Sequence, residues 1–260
     1  MNELRRFFLA LGYFTRIPVP AWVGWAPEEL NRAARYFPLA GLIVALISAV
    51  VLWLSMQVLP TSLAVLLSMA LSLRLTGAFH EDGLADSADG LGGGWQREDV
   101  LRIMKDSRIG TYGAVVLGMA LLTKFVALDA LAARGWIVFV ALLVAHPLSR
   151  LAALVVMLAL PYVREDDSSR ARPVAQGVGR TELLIGVLCG LAPVVIALAC
   201  GVLSMVRVAA LLLVAAGVTL WWARVLRRRL GGYTGDALGA TQQFVELACY
   251  LVLCAHVPVS

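Results

Sequence analysis

Seven mostly apolar stretches, at 37–59, 61–79, 111–131, 136–160, 182–206, 208–223 and 239–256, constrain this chain more than any other feature. A helix needs roughly 20 such residues to cross about 30 Å of hydrocarbon. In lipid the backbone must satisfy its own N–H and C=O groups, and a helix does this within one segment. The expected fold is therefore all-α, a polytopic helical membrane protein of about seven transmembrane helices. The stretch at 208–223 is short, and 4–15 fits the interface better than the core, so six and eight are the alternative counts. Composition agrees. Of the 260 residues 60% are hydrophobic and 15% charged, against about 45–50% and about 25% in ordinary soluble domains. Mean hydropathy is +0.83. A core of this size cannot hide that excess, so the solvent is mostly lipid.

Arginine and lysine placement tests the span count independently. With the N-terminus inside and seven crossings, the inner segments hold 17 of the 22 basic residues. Arg134 and Arg207 fall outside, and Arg74, Lys124 and Arg150 fall within spans. Basic residues concentrate on the cytoplasmic side of membrane proteins, so a cytoplasmic N-terminus and an outside C-terminus are expected. The whole chain, 1–260, reads as a single integral membrane domain in a bacterial inner membrane. Its cytoplasmic loops fall at about 80–110, 161–181 and 224–238. Met1–Arg6 precedes an apolar run with no small-residue cleavage site, so no removable signal peptide is expected. Cys189, Cys200, Cys249 and Cys254 lie in apolar segments without metal spacing, as small hydrophobes do. Arg227, Arg228 and Arg229 are expected to set topology and touch anionic lipid.

The densest chemistry is His80-Glu81-Asp82-Gly83-Leu84-Ala85-Asp86-Ser87-Ala88-Asp89-Gly90, at the end of the second apolar stretch on a membrane-flanking segment. If a helix continues through them, Asp82, Asp86 and Asp89 share one face at i, i+4 and i+7. Three carboxylates on one face repel, so a cation must offset them. Hard oxygen ligands suit Mg²⁺ or Mn²⁺, and Mg²⁺ commonly takes one or two carboxylates plus substrate phosphates. The small residues between the acids leave room for a phosphate group.

Gly92-Gly93-Gly94 then break the chain before a short amphipathic helix over about 97–106. Its Val100, Leu101 and Met104 are expected to lie on the membrane. Lys105, Arg108 and Gly110 are expected to face the acids, and basic groups beside a carboxylate-bound metal suit a diphosphate. Asp106 lies between those two cations. A second polar island, Gly231–Ala240, holds Thr234, Gly235 and Asp236, where Asp236 either completes a metal site or caps the next helix. A third, Arg164–Arg180, is basic and ends in Gln176-Gly177-Val178-Gly179. Lys124, Asp129, His146 and Arg150 lie inside spans, where ionisable groups are costly and functional candidates by default. Lys124 and Asp129 miss the helical pairing interval, and His146 before Pro147 is expected to satisfy a carbonyl freed by the proline.

Four blocks in order carry a resemblance. They are Phe14-Thr15-Arg16-Ile17-Pro18-Val19-Pro20, His80–Gly90, Ile103–Gly113 and Gly231–Ala240. Together they resemble the cobalamin synthase family, the adenosylcobinamide-GDP ribazoletransferases, over nearly the whole chain. The resemblance implies an integral membrane enzyme using Mg²⁺. It would join adenosylcobinamide-GDP to α-ribazole, or its 5′-phosphate, and release GMP at a site facing the cytoplasm. Asp82, Asp86 and Asp89 would hold the metal, with one accepting the hydroxyl proton, and Lys105 and Arg108 would neutralise the diphosphate. His80, Arg16, Asp106, Thr234, Gly235 and Asp236 would contact substrate. The expected partners are those substrates and the lipid bilayer, with other nucleotide-loop assembly enzymes as candidates and no nucleic acid.

Two positions depart from the family pattern. Glu81 stands where many members are apolar. Gln243 replaces the first of two glutamates three apart, Glu246 being the second, and position 243 is expected to be a secondary contact. A CDP-alcohol phosphotransferase fits less well, since Asp86 occupies the place of that family's arginine. A secondary transporter would carry its acids at mid-membrane and often an inverted repeat, and none is visible here.

Overall fold

The computed structural model describes residues 3–24, 29–163 and 179–255. In chain order the helices are α1 (Glu3–Phe14), α2 (Leu30–Ala33), α3 (Phe37–Met56), α4 (Thr61–Thr76), α5 (Phe79–Gly93), α6 (Arg97–Ile103), α7 (Thr111–Ala132), α8 (Ile137–Ala159), α9 (Arg180–Ala199), α10 (Met205–Arg229) and α11 (Gly235–Cys254). Six helical spans are long and apolar enough to cross a membrane: Leu30–Met56, α7, α8, α9, α10 and α11. The bent pair α4 and α5 makes a seventh if counted as one span. Of the third polar island, Arg164–Arg180, residues 164–178 lie outside the described residues.

Helix α8 is the axis of the bundle. Of its apolar window 83% is buried, against 22% for α9 at the periphery. Small side chains make this possible: Ala141, Ala145, Ala152 and Ala153 are buried along it, and small residues let membrane helices approach closely. Gly41 of α3 is one such approach, because a Cβ there would stand 2.6 Å from Cδ of Arg150 and 2.8 Å from the His146 carbonyl. Around the outside, apolar side chains are exposed. On α7, Val115, Met119, Leu122 and Val126 are all more than half exposed at helical spacing, the stripe an amphipathic helix would bury in a soluble fold.

The structure moves several expected boundaries. The apolar run 61–79 is not one straight span: Gly77 (φ 66°) and Ala78 (φ 56°) are both left-handed, and the chain turns by 84° there. Helix α10 is longer than its short apolar stretch, running 25 residues, because Arg207 and Arg224–Arg229 sit at its two ends, where long basic side chains reach the interface. Helix α6 ends at Ile103 and does not lay its apolar face on the membrane. Val100 and Met104 are buried against α5, where a Cβ on Gly90 would meet Cγ of Met104 at 2.4 Å.

Candidate active site

The acidic block is helical, on α5, so its aspartates do share a face. That face is graded: Asp82 is exposed, Asp86 half-buried and Asp89 buried. The grading follows from what each acid meets. Both Asp89 oxygens accept backbone N–H groups at the start of α7, from Gly110 at 2.7 Å and from Gly113 at 2.8 Å. An anion there is held by unpaired amide groups and by the helix dipole. A Cβ on Gly110 or Gly113 would stand 2.4 or 2.3 Å from the Asp89 carboxylate, which explains both glycines in the third block. Asp89 thus fastens α5 to α7.

Asp82 is left to face outward, and Asp86 is half-buried one turn further on. The Asp82 side chain makes no ion pair or hydrogen bond among the described residues. Beside it α5 touches the start of α11: a Cβ on Gly83 would lie 2.6 Å from the Asp236 carbonyl oxygen. Thr234, not Asp236, caps α11, its hydroxyl accepting from the Ala237 amide at 3.2 Å. Asp236 therefore sits in the first turn of α11 with its backbone against α5. Tyr233, just before, is buried, and its backbone exchanges hydrogen bonds with Pro161 and Val163 at 2.9 and 3.0 Å, tying this island to the end of α8. Burial pushes the Tyr233 phenol up to about 12, so it stays neutral near pH 7 and is not a base.

Arg16 is exposed at the bend between α4 and α5. Its backbone amide donates to the Leu75 carbonyl at 2.7 Å, and a Cβ on Gly77 would meet its Nε at 2.5 Å. The next acid-helix residue, His80, is buried and stacked on Phe14 at 5.6 Å between ring centroids. So the first sequence block packs directly on the second. Lys105 and Arg108 are exposed in the turn between α6 and α7. Arg108 grips Asp106 with Nε at 3.0 Å and Nη2 at 2.7 Å, while its amide donates to the same carboxylate at 3.1 Å. The Arg108 hydrogen bonds hold the Asp106 carboxyl down at about 2.

Beneath α5 lies a buried polar network that the sequence did not assemble. Lys124 of α7 lies 2.9 Å from Glu246 of α11 and 3.7 Å from Glu81. Gln243 donates to Glu81 at 2.9 Å and accepts from Lys124 at 3.2 Å. Tyr250 donates to Glu246 at 3.1 Å, and Gln242 donates to Ser149 at 3.1 Å and to Glu246. His146 does not serve the proline-freed carbonyl. Its ring faces Glu246 at 3.7 Å, and its own carbonyl accepts from Arg150 at 3.0 Å. Asp129 accepts from Ser62 at 2.8 Å, apart from Lys124. Two cations and two carboxylates balance, which is the condition for burying them.

Among the described residues no three His, Cys, Asp or Glu side chains converge closely enough to hold a metal by themselves. What the structure offers is the exposed Asp82 and the half-buried Asp86, one turn apart on α5, beside the first turn of α11. That donor set suits a hard cation whose remaining ligands come from phosphate and water.

The fold defines a class, the helical bundles with six or seven spans long and apolar enough to cross a membrane. Residues 6–254 match the family described as cobalamin-5-phosphate synthase, and the chain belongs to that family. An adenosylcobinamide-GDP ribazoletransferase of Shewanella frigidimarina is 48% identical over 98% of this chain and 96% of its own length. Another, of Shewanella woodyi, is 50% identical over 97% and 96%. No solved structure matches this chain.

Proposed function

We infer that this chain is an adenosylcobinamide-GDP ribazoletransferase, a transferase of the last step in cobalamin nucleotide-loop assembly. It joins adenosylcobinamide-GDP to α-ribazole or its 5′-phosphate. A ribose hydroxyl attacks the phosphorus borne by the corrinoid arm, a new P–O bond forms, the P–O bond to GMP breaks, and the hydroxyl proton leaves. Family membership over residues 6–254 supports the substrates. The site observation that carries the reading is the exposed Asp82, one turn from Asp86 on α5 where that helix packs on the first turn of α11.

Phosphoryl transfer of this kind is mainly positioning and charge neutralisation. Asp82 and Asp86 would hold Mg²⁺, which when bound offsets charge on the diphosphate, and one of them accepts the hydroxyl proton. Lys105 and Arg108, on the turn after α6, draw the diphosphate toward α5. Asp236, Thr234 and Gly235 border the site from α11, and Arg16 and His80 border it from the bend. Asp89 keeps its place in the site by holding α5 on α7. The basic-residue asymmetry supports a site on the cytoplasmic side of an inner membrane, with the N-terminus on that side.

The test is product formation by the purified, detergent-solubilised chain given adenosylcobinamide-GDP and α-ribazole. The expected result is one GMP released per cobamide formed, only with both substrates present, and abolished by EDTA. GMP release without α-ribazole, or none from folded protein with both substrates, contradicts the assignment.

A further inference from the structure

Away from the acidic helix, α8, α9 and α10 spread apart around a cavity of about 520 Å³. Its lining includes Leu151, Val155 and Ala159 of α8, Leu191 of α9, and Ala215 and Ala223 of α10. Even Thr219 presents a methyl group there, because its hydroxyl donates to the Ala215 carbonyl at 2.7 Å. Packed interiors keep few voids larger than a water molecule, and a space of this size falls in the range of ligand sites. Val155 and Leu220 both line the space and are exposed, at 38% and 51%, so it is open to the surrounding lipid.

Two observations select the occupant. The first is length. The α10 lining runs from Leu212 to Ala223, which at 1.5 Å per residue is about 16 Å, or roughly one leaflet of a hydrocarbon core about 30 Å thick. A helix of a second copy would cross both leaflets. The second is charge. The α10 stripe continues from Ala223 to Arg227, one turn further on, with Arg224 and Arg228 beside it. All three are exposed and make no ion pair or hydrogen bond among the described residues. Arg229, in contrast, donates to the carbonyls of Leu91 and Gly94 at 3.3 and 2.6 Å, which puts this end of the groove on the same side as the end of α5.

We propose that the groove between α8, α9 and α10 holds one acyl chain of an anionic phospholipid, whose phosphate is received by Arg227 with Arg224 and Arg228. The lipid is bound in the leaflet on the active-site side. Its headgroup sits on the helix turn whose neighbouring arginine braces α5.

The full chain, purified in mild detergent, is offered phosphatidylglycerol and phosphatidylcholine with matched chains and read by native mass spectrometry. Phosphatidylglycerol is expected to stay bound in clear preference. Arg227→Gln should reduce that preference about fivefold, the equivalent of the ~1 kcal/mol a basic residue contributes at an anionic membrane surface. Ala223→Phe should remove the bound lipid by filling the groove. The unmodified chain provides a second measurement that depends on no variant. In phosphatidylethanolamine vesicles holding a small share of diazirine-labelled phosphatidylglycerol, the label should concentrate on 148–159 and 212–223. Equal retention of the two lipids, or as much label on α7 as on the groove residues, overturns the proposal. So does loss of a dimer rather than of lipid in Ala223→Phe.

Discussion

Gln243 donates a 2.9 Å hydrogen bond to Glu81, from a position 162 residues away. These are two positions where the resemblance leads one to expect a departure from the family's pattern, and the structure makes them neighbours. The network around them already holds Glu81 and Glu246 against Lys124 and Arg150. A glutamate at 243 would add a third buried carboxylate beside Glu81. Gln243→Glu alone should therefore destabilise the protein by about 3–5 kcal/mol, the cost of an uncompensated buried charge. Glu81→Gln combined with Gln243→Glu restores the balance and should recover most of that loss. Thermal unfolding of the three proteins in one detergent checks it, and additive losses in the double variant would contradict it.

Asp89 accepts two backbone amides at the start of α7, and each would be left unpaired in Asp89→Ala. An unsatisfied buried donor costs about 1–3 kcal/mol, so this variant should lose stability together with activity. Asp82→Ala, in contrast, should unfold at the wild-type temperature. A melting comparison separates the two aspartates, and an Asp89→Ala protein as stable as wild type would refute the fastening role.

How much of this was legible in the sequence depends on distance along the chain. The spans were, because 20 apolar residues in a row carry their own signal, and so was the acidic face at i, i+4 and i+7. The break at Gly77–Ala78 was not: the apolar run passes through it unchanged, and alanine gives no sign of a left-handed backbone. The cap of α11 was offered at Asp236 but falls on Thr234, because both residue types accept helix amides. Glu81, Lys124 and Glu246 lie on three helices far apart in the chain. Helical periodicity reports neighbours within one helix only, so nothing local announced that they meet. The apolar face of α6 was legible, but whether lipid or α5 covers it was decided by Gly90, whose missing side chain admits Met104.

Ala78 holds a left-handed conformation at φ 56°, which costs an L-residue with a Cβ about 1–2 kcal/mol. Ala78→Gly should relieve it and raise the melting temperature. Gly77→Ala should do the reverse, since its Cβ meets Arg16 at 2.5 Å. The same unfolding assay reads both, and a lower melting temperature for Ala78→Gly would contradict the left-handed bend.

The Asp106 carboxyl is held near 2 by Arg108, below an ordinary aspartate value of about 3.9. The folded value is the lower one, so what the pair contributes to this turn is fully present above pH 4 and lost as pH falls through 2. Above pH 4 the Arg108 amide should thus be slow to exchange with solvent, and Asp106→Asn should bring it to an ordinary loop rate. Unchanged exchange in that variant would show that the turn does not depend on the pair.

The central claim is that Asp82 on the outer face of α5 carries metal-dependent transfer without supporting the fold. The most direct measurement is Mg²⁺-dependent GMP release by Asp82→Ala, made on protein whose membrane insertion and melting temperature have been matched to wild type. The account predicts no detectable turnover at any Mg²⁺ concentration, from a protein otherwise indistinguishable in stability. Near wild-type release with an unchanged Mg²⁺ requirement would contradict it.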